Sequence, residues 1–350
     1  MEQVARRVTI ASVAAKAGVS KTAVSFAFNN PGRLNSATAT RILDIAQELG
    51  YRPDPVARML TQGRTGSIGV LTPQDLSVVF ANPFFGSFSA GIAGVAEKHG
   101  FGLHFISPLH GSLSRAIHRA TVDGVVAIGL TDDHPEIDEI RRAGLPMVLV
   151  DSATTGDVAS VDVDDEGGAR LAAAHLLGLG HRDIAVLAIE GPRSASSAGQ
   201  GVVERRMRGY RQCLAEAGVE LAADPTAVGA ASIDGGIEAF NRLWAAGHRP
   251  SAILAMSDAL AIGAIRAIRE HGRSVPGEIS VVGFDDIDLA ASTDPPLTTV
   301  HQPVRGKGEA AVQLLLSVMA GGTSPAVHSR LETRLVIRSS TGPVVHAVRR

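Results

Sequence analysis

An all-α head carrying a helix-turn-helix, followed by an α/β body of two doubly wound parallel-sheet lobes, is the fold class that this 350-residue sequence predicts. Three observations lead there. Two short stretches of helical periodicity flank a Gly18-Val19 turn, and beyond residue 66 short β-branched runs alternate with helical ones. Charge divides at the same place. Residues 1–64 hold nine Lys or Arg against four acids, a net of +5, which leaves −7 on the rest of a chain whose total is −2. A basic head on an acidic body concentrates attraction for phosphate at one end.

In the first helix Ile10, Val13, Ala14 and Ala17 recur at i, i+3, i+4 and i+7, and Thr9 is placed to cap its amino end. Gly18 permits the reversal, Val19 fits between the helices, and Ser20 accepts an N–H at the start of the second. That second helix separates into Ala23, Val24, Ala27 and Phe28 on one side and Lys21, Thr22, Ser25, Phe26 and Asn29 on the other. Short polar side chains on such a first turn fit a DNA major groove, where Lys and Thr reach base edges or phosphates. The bland alternative is a small helical bundle with a solvated face. Against it stand the complete turn signature and a third helix from about Ala37 to Leu49, apolar at Ile42, Ile45, Ala46 and Leu49, capped by Asn35 or Ser36 and stopped by Gly50.

Residues 54–61 form a short helix candidate, with Asp54 as cap and Pro55 at its first position, too short to persist alone. It is either a plain linker, as Gly63 to Gly66 is, or a helix formed only when two copies pack on DNA. The body then offers strands at 68–71, 103–106, 124–128, 147–150, 184–189, 252–255 and 279–283. Their alternation with helices implies parallel sheets covered on both faces, with a ligand between lobes at the carboxyl ends of the strands.

Enzymatic readings are poor. Gly191 to Gly201 has neither the Lys-Ser/Thr ending of a phosphate loop nor a dinucleotide fingerprint, and no catalytic residue is expected. His99, His104, His110 and His118 lack metal-ligand spacing, so no metal and no cofactor are expected. Cys213 is the only cysteine, placed on a helix; it excludes a disulfide within the chain and suits a reducing cytoplasm. The start has no apolar signal region and no run reaches membrane length, so a cytoplasmic protein without a membrane partner is expected.

The run from Val8 to Leu60, with its Asn29-Asn30-Pro31 loop, Leu49-Gly-Tyr-Arg-Pro53 and Pro55-Val-Ala-Arg-Met-Leu60, resembles the headpiece and hinge of the LacI/GalR family of bacterial transcriptional regulators. The resemblance implies that Lys21, Thr22, Ser25 and Phe26 face the major groove and that Arg33 and the start of the third helix lie near the backbone. Ala57 and Leu60 would enter the minor groove, Leu60 as an apolar wedge. Thr9, Ser20 and Asn29 complete the expected DNA-binding set. Where the family often has Arg, this chain has Phe26, so a bidentate guanine contact is lost and a thymine methyl contact becomes available.

The body resembles the same family's sensor core, similar to periplasmic sugar-binding proteins, at Asn82-Pro-Phe-Phe85, His175-Leu-Leu-Gly-Leu-Gly-His181, Arg206-Met-Arg-Gly-Tyr210, Ser257-Asp-Ala-Leu-Ala-Ile-Gly263 and Ser280-Val-Val-Gly-Phe-Asp-Asp286. The domains expected are a headpiece at 1–53, a hinge and linker at 54–65, a core at 66–340 and a tail at 341–350. One lobe would comprise 66–162 and 302–325, the other 163–301 and 326–340. Phe84 and Phe85 suit an apolar ring face of a ligand, while Asp151, Asp164, Arg206, Asp258 and Asp285 suit its hydroxyls. Phe84 or Phe85 could instead be core, Asp258 a helix cap, and Asp285-Asp286 a turn. A pocket aromatic that some relatives carry near Gly229 to Ser232 is absent. The resemblance thus implies a ligand-responsive repressor, a homodimer on a palindromic double-stranded DNA operator, controlled by a small sugar or sugar derivative. The alternative is the same fold sensing a nucleobase or nucleoside as corepressor.

Overall fold

The computed structural model describes residues 8–53, 59, 63–152, 154, 156–190, 201–219, 221, 226–321 and 326–344. The chain divides into two units, 1–65 and 66–350.

The first unit contains α1 (Ile10–Ala17), α2 (Lys21–Asn29), a 3₁₀ turn (Pro31–Arg33) and α3 (Ser36–Glu48). The caps set these lengths. Thr9 and Ser12 form a reciprocal capping box, Gly18 ends α1 at φ 63°, and the Ser20 hydroxyl accepts the Ala23 N–H at 3.1 Å. Asn35, rather than Ser36, caps α3 by accepting the Ala37 N–H at 2.9 Å. Val13, Ala17, Val24, Ala27, Ile42 and Ala46 close a core against which Phe28 and Tyr51 pack edge to face, 5.7 Å between centroids.

The second unit opens with β1 (Ser67–Leu71), α4 (Leu76–Ala81), α5 (Pro83–Lys98), β2 (Gly102–Ile106), α6 (Leu113–Arg119), β3 (Gly124–Ile128), α7 (Pro135–Arg142), β4 (Met147–Val150) and β5 (Ser160–Val163). It continues through α8 (Asp165–Gly178), β6 (Ile184–Ile189), α9 (Val202–Glu216), β7 (Thr226–Gly229), α10 (Ile233–Ala245), β8 (Ala252–Ala255), α11 (Asp258–Glu270), β9 (Ser280–Asp285), α12 (Asp288–Ser292) and β10 (Thr298–His301). Last come α13 (Val304–Met319), β11 (His328–Leu331) and β12 (Arg334–Val336).

Among the described residues these strands make two six-stranded sheets, ordered β11-β5-β4-β3-β1-β2 and β12-β10-β9-β8-β6-β7. All pairings are parallel except β12 with β10. Unbroken apolar runs such as Val125-Val126-Ala127-Ile128 follow from burial on both faces. Val126 and Ile128 join the core under α5 and α13, while Val125 and Ala127 join that under α6 and α7. In the second sheet Ile253 and Ala255 face α10 and α11, whereas Ala252 and Leu254 face α8 and α9.

The chain passes to the second sheet after β5, returns after β10, and passes again after β11. This corrects one expected lobe boundary. Residues 328–331 belong to the first lobe, because β11 pairs with β5 before Glu332 and Thr333 carry the chain across to β12. Strands β5, β7 and β11 escaped the apolar-run reading because they carry Asp162, Thr226, His328 and Arg330 among few apolar residues. Strand β9 also runs two residues past its expected end, which brings Asp285 to the rim of the sheet.

Helices α5 and α13 cross at glycines: a methyl group on Gly91 would sit 2.1 Å from the Arg305 carbonyl oxygen, and one on Gly308 2.3 Å from that of Phe88. Gly91→Ala and Gly308→Ala are therefore expected to lower unfolding free energy by about 1–3 kcal/mol each, since backbone on both sides must move. Urea denaturation measures it. Unchanged midpoints would mean that the helices separate freely.

Candidate functional site

In the head, Lys21 and Thr22 are exposed on the first turn of α2, with Ser25, Phe26 and Asn29 half-buried along the same helix. Asn29 donates to the Ser25 hydroxyl at 3.4 Å. Thr9 and Ser20 are engaged as helix caps. Arg33 is exposed on the 3₁₀ turn, its guanidinium 5.4 Å from the Phe26 ring centroid. Ala57 and Leu60 lie outside the described residues.

In the body a cavity of about 470 Å³ opens between the lobes at the carboxyl ends of both sheets. Phe84, Phe85, His134 and Asp151 line it from the first lobe; Glu204, Arg206, Ser257 and Asp285 line it from the second. Asn82 caps α5 by accepting the Phe84 N–H at 3.1 Å, and this fixes the two rings edge to face, 5.4 Å apart. They serve as core and cavity wall at once.

Asp151, just past β4, and Asp285, the last residue of β9, have φ of 60° and 123°. Left-handed backbone is unusual outside glycine and is tolerated best by Asp and Asn. Arg206 is buried in α9 behind the cavity floor. It donates Nε to Asp165 Oδ1 at 2.8 Å and Nη1 to the Met256 carbonyl, stacks 3.6 Å over the Phe284 ring, and stands 3.7 Å from Asp285 Oδ1. Burial pushes the Asp285 carboxyl up to about 6, against the opposing pull of Arg206 and a hydrogen bond from Gln302.

Two expected pocket residues do not line the cavity. Asp164 caps α8 through the Gly167 N–H at 3.0 Å and pairs with Arg330. Asp258 follows Ser257, the residue that caps α11, and accepts the Ile287 N–H at 2.9 Å and the Thr299 hydroxyl at 2.5 Å. Burial and the nearby Asp285 raise its carboxyl well above the usual range. Among the described residues no helix is long and apolar enough to cross a membrane.

Residues 9–54 match the family described as bacterial regulatory proteins, lacI family, and residues 173–341 match a periplasmic binding protein-like domain. The chain is 32% identical over 342 residues to the HTH-type transcriptional regulator CelR of Thermobifida fusca, covering 96% of this chain and 98% of that one. This chain belongs to the LacI family. A solved CelR–cellobiose complex overlays on this LacI-family regulator with a TM-score of 0.69 at 30% identity, covering 95% of this chain and 100% of that one. The lac repressor dimer bound to operator and the anti-inducer ONPF overlays at 0.80 and 28% identity, covering 96% and 100%.

Four buried residues behind the cavity wall of this LacI-family chain were missed by sequence reasoning: Asp165, Arg205, Gln302 and Lys307. Asp165 is fully buried and receives Arg205 Nη2 at 2.7 Å as well as Arg206. Burial alone would raise its carboxyl, but the two guanidiniums hold it below the ordinary value. Lys307, fully buried in α13, donates to Asp151 Oδ1 at 2.7 Å and to Gln302 Oε1 at 2.5 Å; Gln302 Nε2 in turn donates to Asp285 Oδ1 at 2.6 Å. Arg205 Nη2 reaches back to the Asp151 carbonyl at 3.5 Å. The contacts thus form a loop from Asp151 through both lobes and back. The available signal was a lysine on the apolar face that holds Val304, Gly308, Ala311 and Val312.

Lys307→Met is expected to cost about 3–5 kcal/mol, because Asp151 then keeps a buried charge without its cation. Adding Asp151→Asn in the same chain is expected to restore most of that loss in thermal or urea unfolding. Simple addition of the two losses would show that the pair is not coupled.

Proposed function

We propose that this LacI-family transcriptional regulator is a cytoplasmic repressor that binds a roughly palindromic DNA operator as a homodimer and releases or grips it under control of a small sugar-like effector. The observation that carries the reading is the convergence of Asp151, Asp285 and Arg206 on one interlobe cavity, beside the Phe84 and Phe85 rings. Carboxylates and a guanidinium suit hydroxyl groups that both donate and accept, and the rings suit the apolar face of a pyranose. The cellobiose in the CelR complex and the operator in the lac repressor complex support this reading. The cleft binds its ligand without transforming it. Effector affinity differs between two lobe arrangements, so DNA affinity shifts with occupancy and, reciprocally, effector affinity shifts with DNA.

A thermal-shift screen of neutral sugars and nucleobases identifies the effector, since a ligand of the folded state raises the unfolding temperature. A sugar is expected to do so and to change operator affinity. Stabilisation by nucleobases alone would overturn the sugar reading. In calorimetry with the identified sugar, Arg206→Ala and Asp285→Asn should each weaken binding about tenfold or more, and wild-type affinity in both would move the site elsewhere.

Asp285 also gives a pH dependence. Its carboxyl titrates near pH 6, so it is largely protonated at pH 5 and ionised at pH 7. An ionised acceptor holds a sugar hydroxyl more strongly than a neutral one. Effector affinity is therefore expected to rise from pH 5 to 7 and then level, and Asp285→Asn to remove that rise. A wild-type profile flat across this range would exclude a direct hydrogen bond to Asp285.

A further inference from the structure

In the head, Phe26 lies half-buried on α2, four residues beyond Thr22 and next to Ser25, on the helix that carries Lys21. Its side chain has no hydrogen-bond donor, so by itself it touches DNA only through apolar contact. Arg33 is exposed seven residues on, and its guanidinium stands 5.4 Å from the Phe26 ring centroid, within the range of cation–π attraction. The backbone holds the two side chains in register. The Asn30 N–H donates to the Phe26 carbonyl at 2.8 Å, the Arg33 N–H to the Asn30 carbonyl at 3.0 Å, and the Leu34 N–H to the Pro31 carbonyl at 3.0 Å. Leu34 then packs on the head core and Asn35 caps α3, which pins the turn at its far end.

The manner of holding matters. Lys16 is paired with Glu48 at 2.7 Å, whereas no carboxylate among the described residues stands within ion-pair distance of Arg33. A carboxylate would occupy the N–H fork and neutralise its charge; an aromatic face restrains the planar group and leaves the N–H donors available. A planar, restrained, unneutralised fork is what bidentate recognition of a guanine O6 and N7 requires.

We propose that Arg33, supported on the Phe26 ring, reads one G·C base pair in each half-site, so that the two residues act as one specificity-determining unit. This rests on the reading of the head as a DNA-binding domain and goes beyond it, since Arg33 is assigned to a base edge instead of the phosphate backbone. Lys at position 33 would keep the charge but lose the fork.

Selection of duplex sites from a random pool by the full-length protein tests the proposal. Wild type, Arg33→Lys, Arg33→Ala and Phe26→Leu are compared, with head folding checked by circular dichroism. The wild type is expected to fix one G·C pair per half-site that all three variants leave unspecified, with other positions unchanged. Affinity for the wild-type site should fall about 5- to 140-fold in each variant. If Arg33→Lys keeps both the preference and the affinity, while Arg33→Ala lowers the salt slope by about one unit without changing preference, Arg33 is a phosphate anchor and the proposal fails. Retention of the G·C preference in Phe26→Leu would overturn the unit. No enriched site with the wild type would instead remove the DNA-binding reading, and this inference with it.

Discussion

Asp165 is a carboxylate fully buried between two guanidiniums, Arg205 and Arg206, at the point where the chain first leaves one lobe for the other. Taking three charges out of water costs several kcal/mol apiece, and mutual attraction offsets this only when geometry is good and the remaining lone pairs are filled. Both conditions are met. Each carboxylate oxygen receives a guanidinium donor, and Arg206 has a carbonyl and an aromatic face as further partners. The cleft walls rest on this group: Arg206 reaches the cavity because Asp165 holds it, and Arg205 extends from it to the strand end that bears Asp151.

The same arithmetic explains why the opposite side of the cleft needs Lys307. Asp151 is also buried, in left-handed backbone at the end of β4, and among the described residues its carboxylate is paired with Lys307. That ammonium is brought through the interior by α13, and Gln302 joins it to Asp285 in the other lobe. Lobe rotation therefore cannot leave the charges untouched. Any arrangement that parts Gln302 from Asp285, or Arg205 from the Asp151 carbonyl, must replace those hydrogen bonds with water or with ligand hydroxyls. An effector that supplies them selects one arrangement over the other by differential contact, which is what coupling requires.

Periodic features were legible in the sequence. The head was readable almost residue by residue, because caps, turn glycine and helical spacing are local signals that need no partner. The central strands were readable too, as apolar runs buried on both faces. Polar strands were not, inside a sheet or at its edge: β5 carries Asp162, and β11 is polar and gains its place only by pairing with β5, a contact about 170 residues away in sequence, so the last passage between lobes was misplaced. In the cleft, Asp151, Arg206 and Asp285 were reached through motif likeness. The adjacent pairs Asp164-Asp165 and Asp285-Asp286 could not be resolved by sequence alone, since neighbouring side chains differ in direction. Asp164 and Asp286 are held by arginines outside the cavity, Arg330 and Arg338, while Asp165 is buried against Arg205 and Arg206 and Asp285 lines the cavity. Lys307 and Gln302 form contacts set by α13 docking, which no local signal encodes.

The two proposed binding surfaces use charge in opposite ways. Behind the cleft the described cations are committed to carboxylates in a buried interior, so the site offers oriented hydrogen-bonding groups with largely compensated charge. Such groups discriminate by geometry, and salt screens buried pairs much less than exposed charges. On the head, Lys21, Arg33 and Arg41 are exposed, and their attraction for phosphate is long in range but falls steeply with ionic strength. Keeping the first kind of charge neutralised in the body and the second kind free in the head explains the uneven distribution of acids and bases along the chain. A body with an uncompensated excess of cations would hold DNA regardless of the cleft, and occupancy of the cleft would then change little.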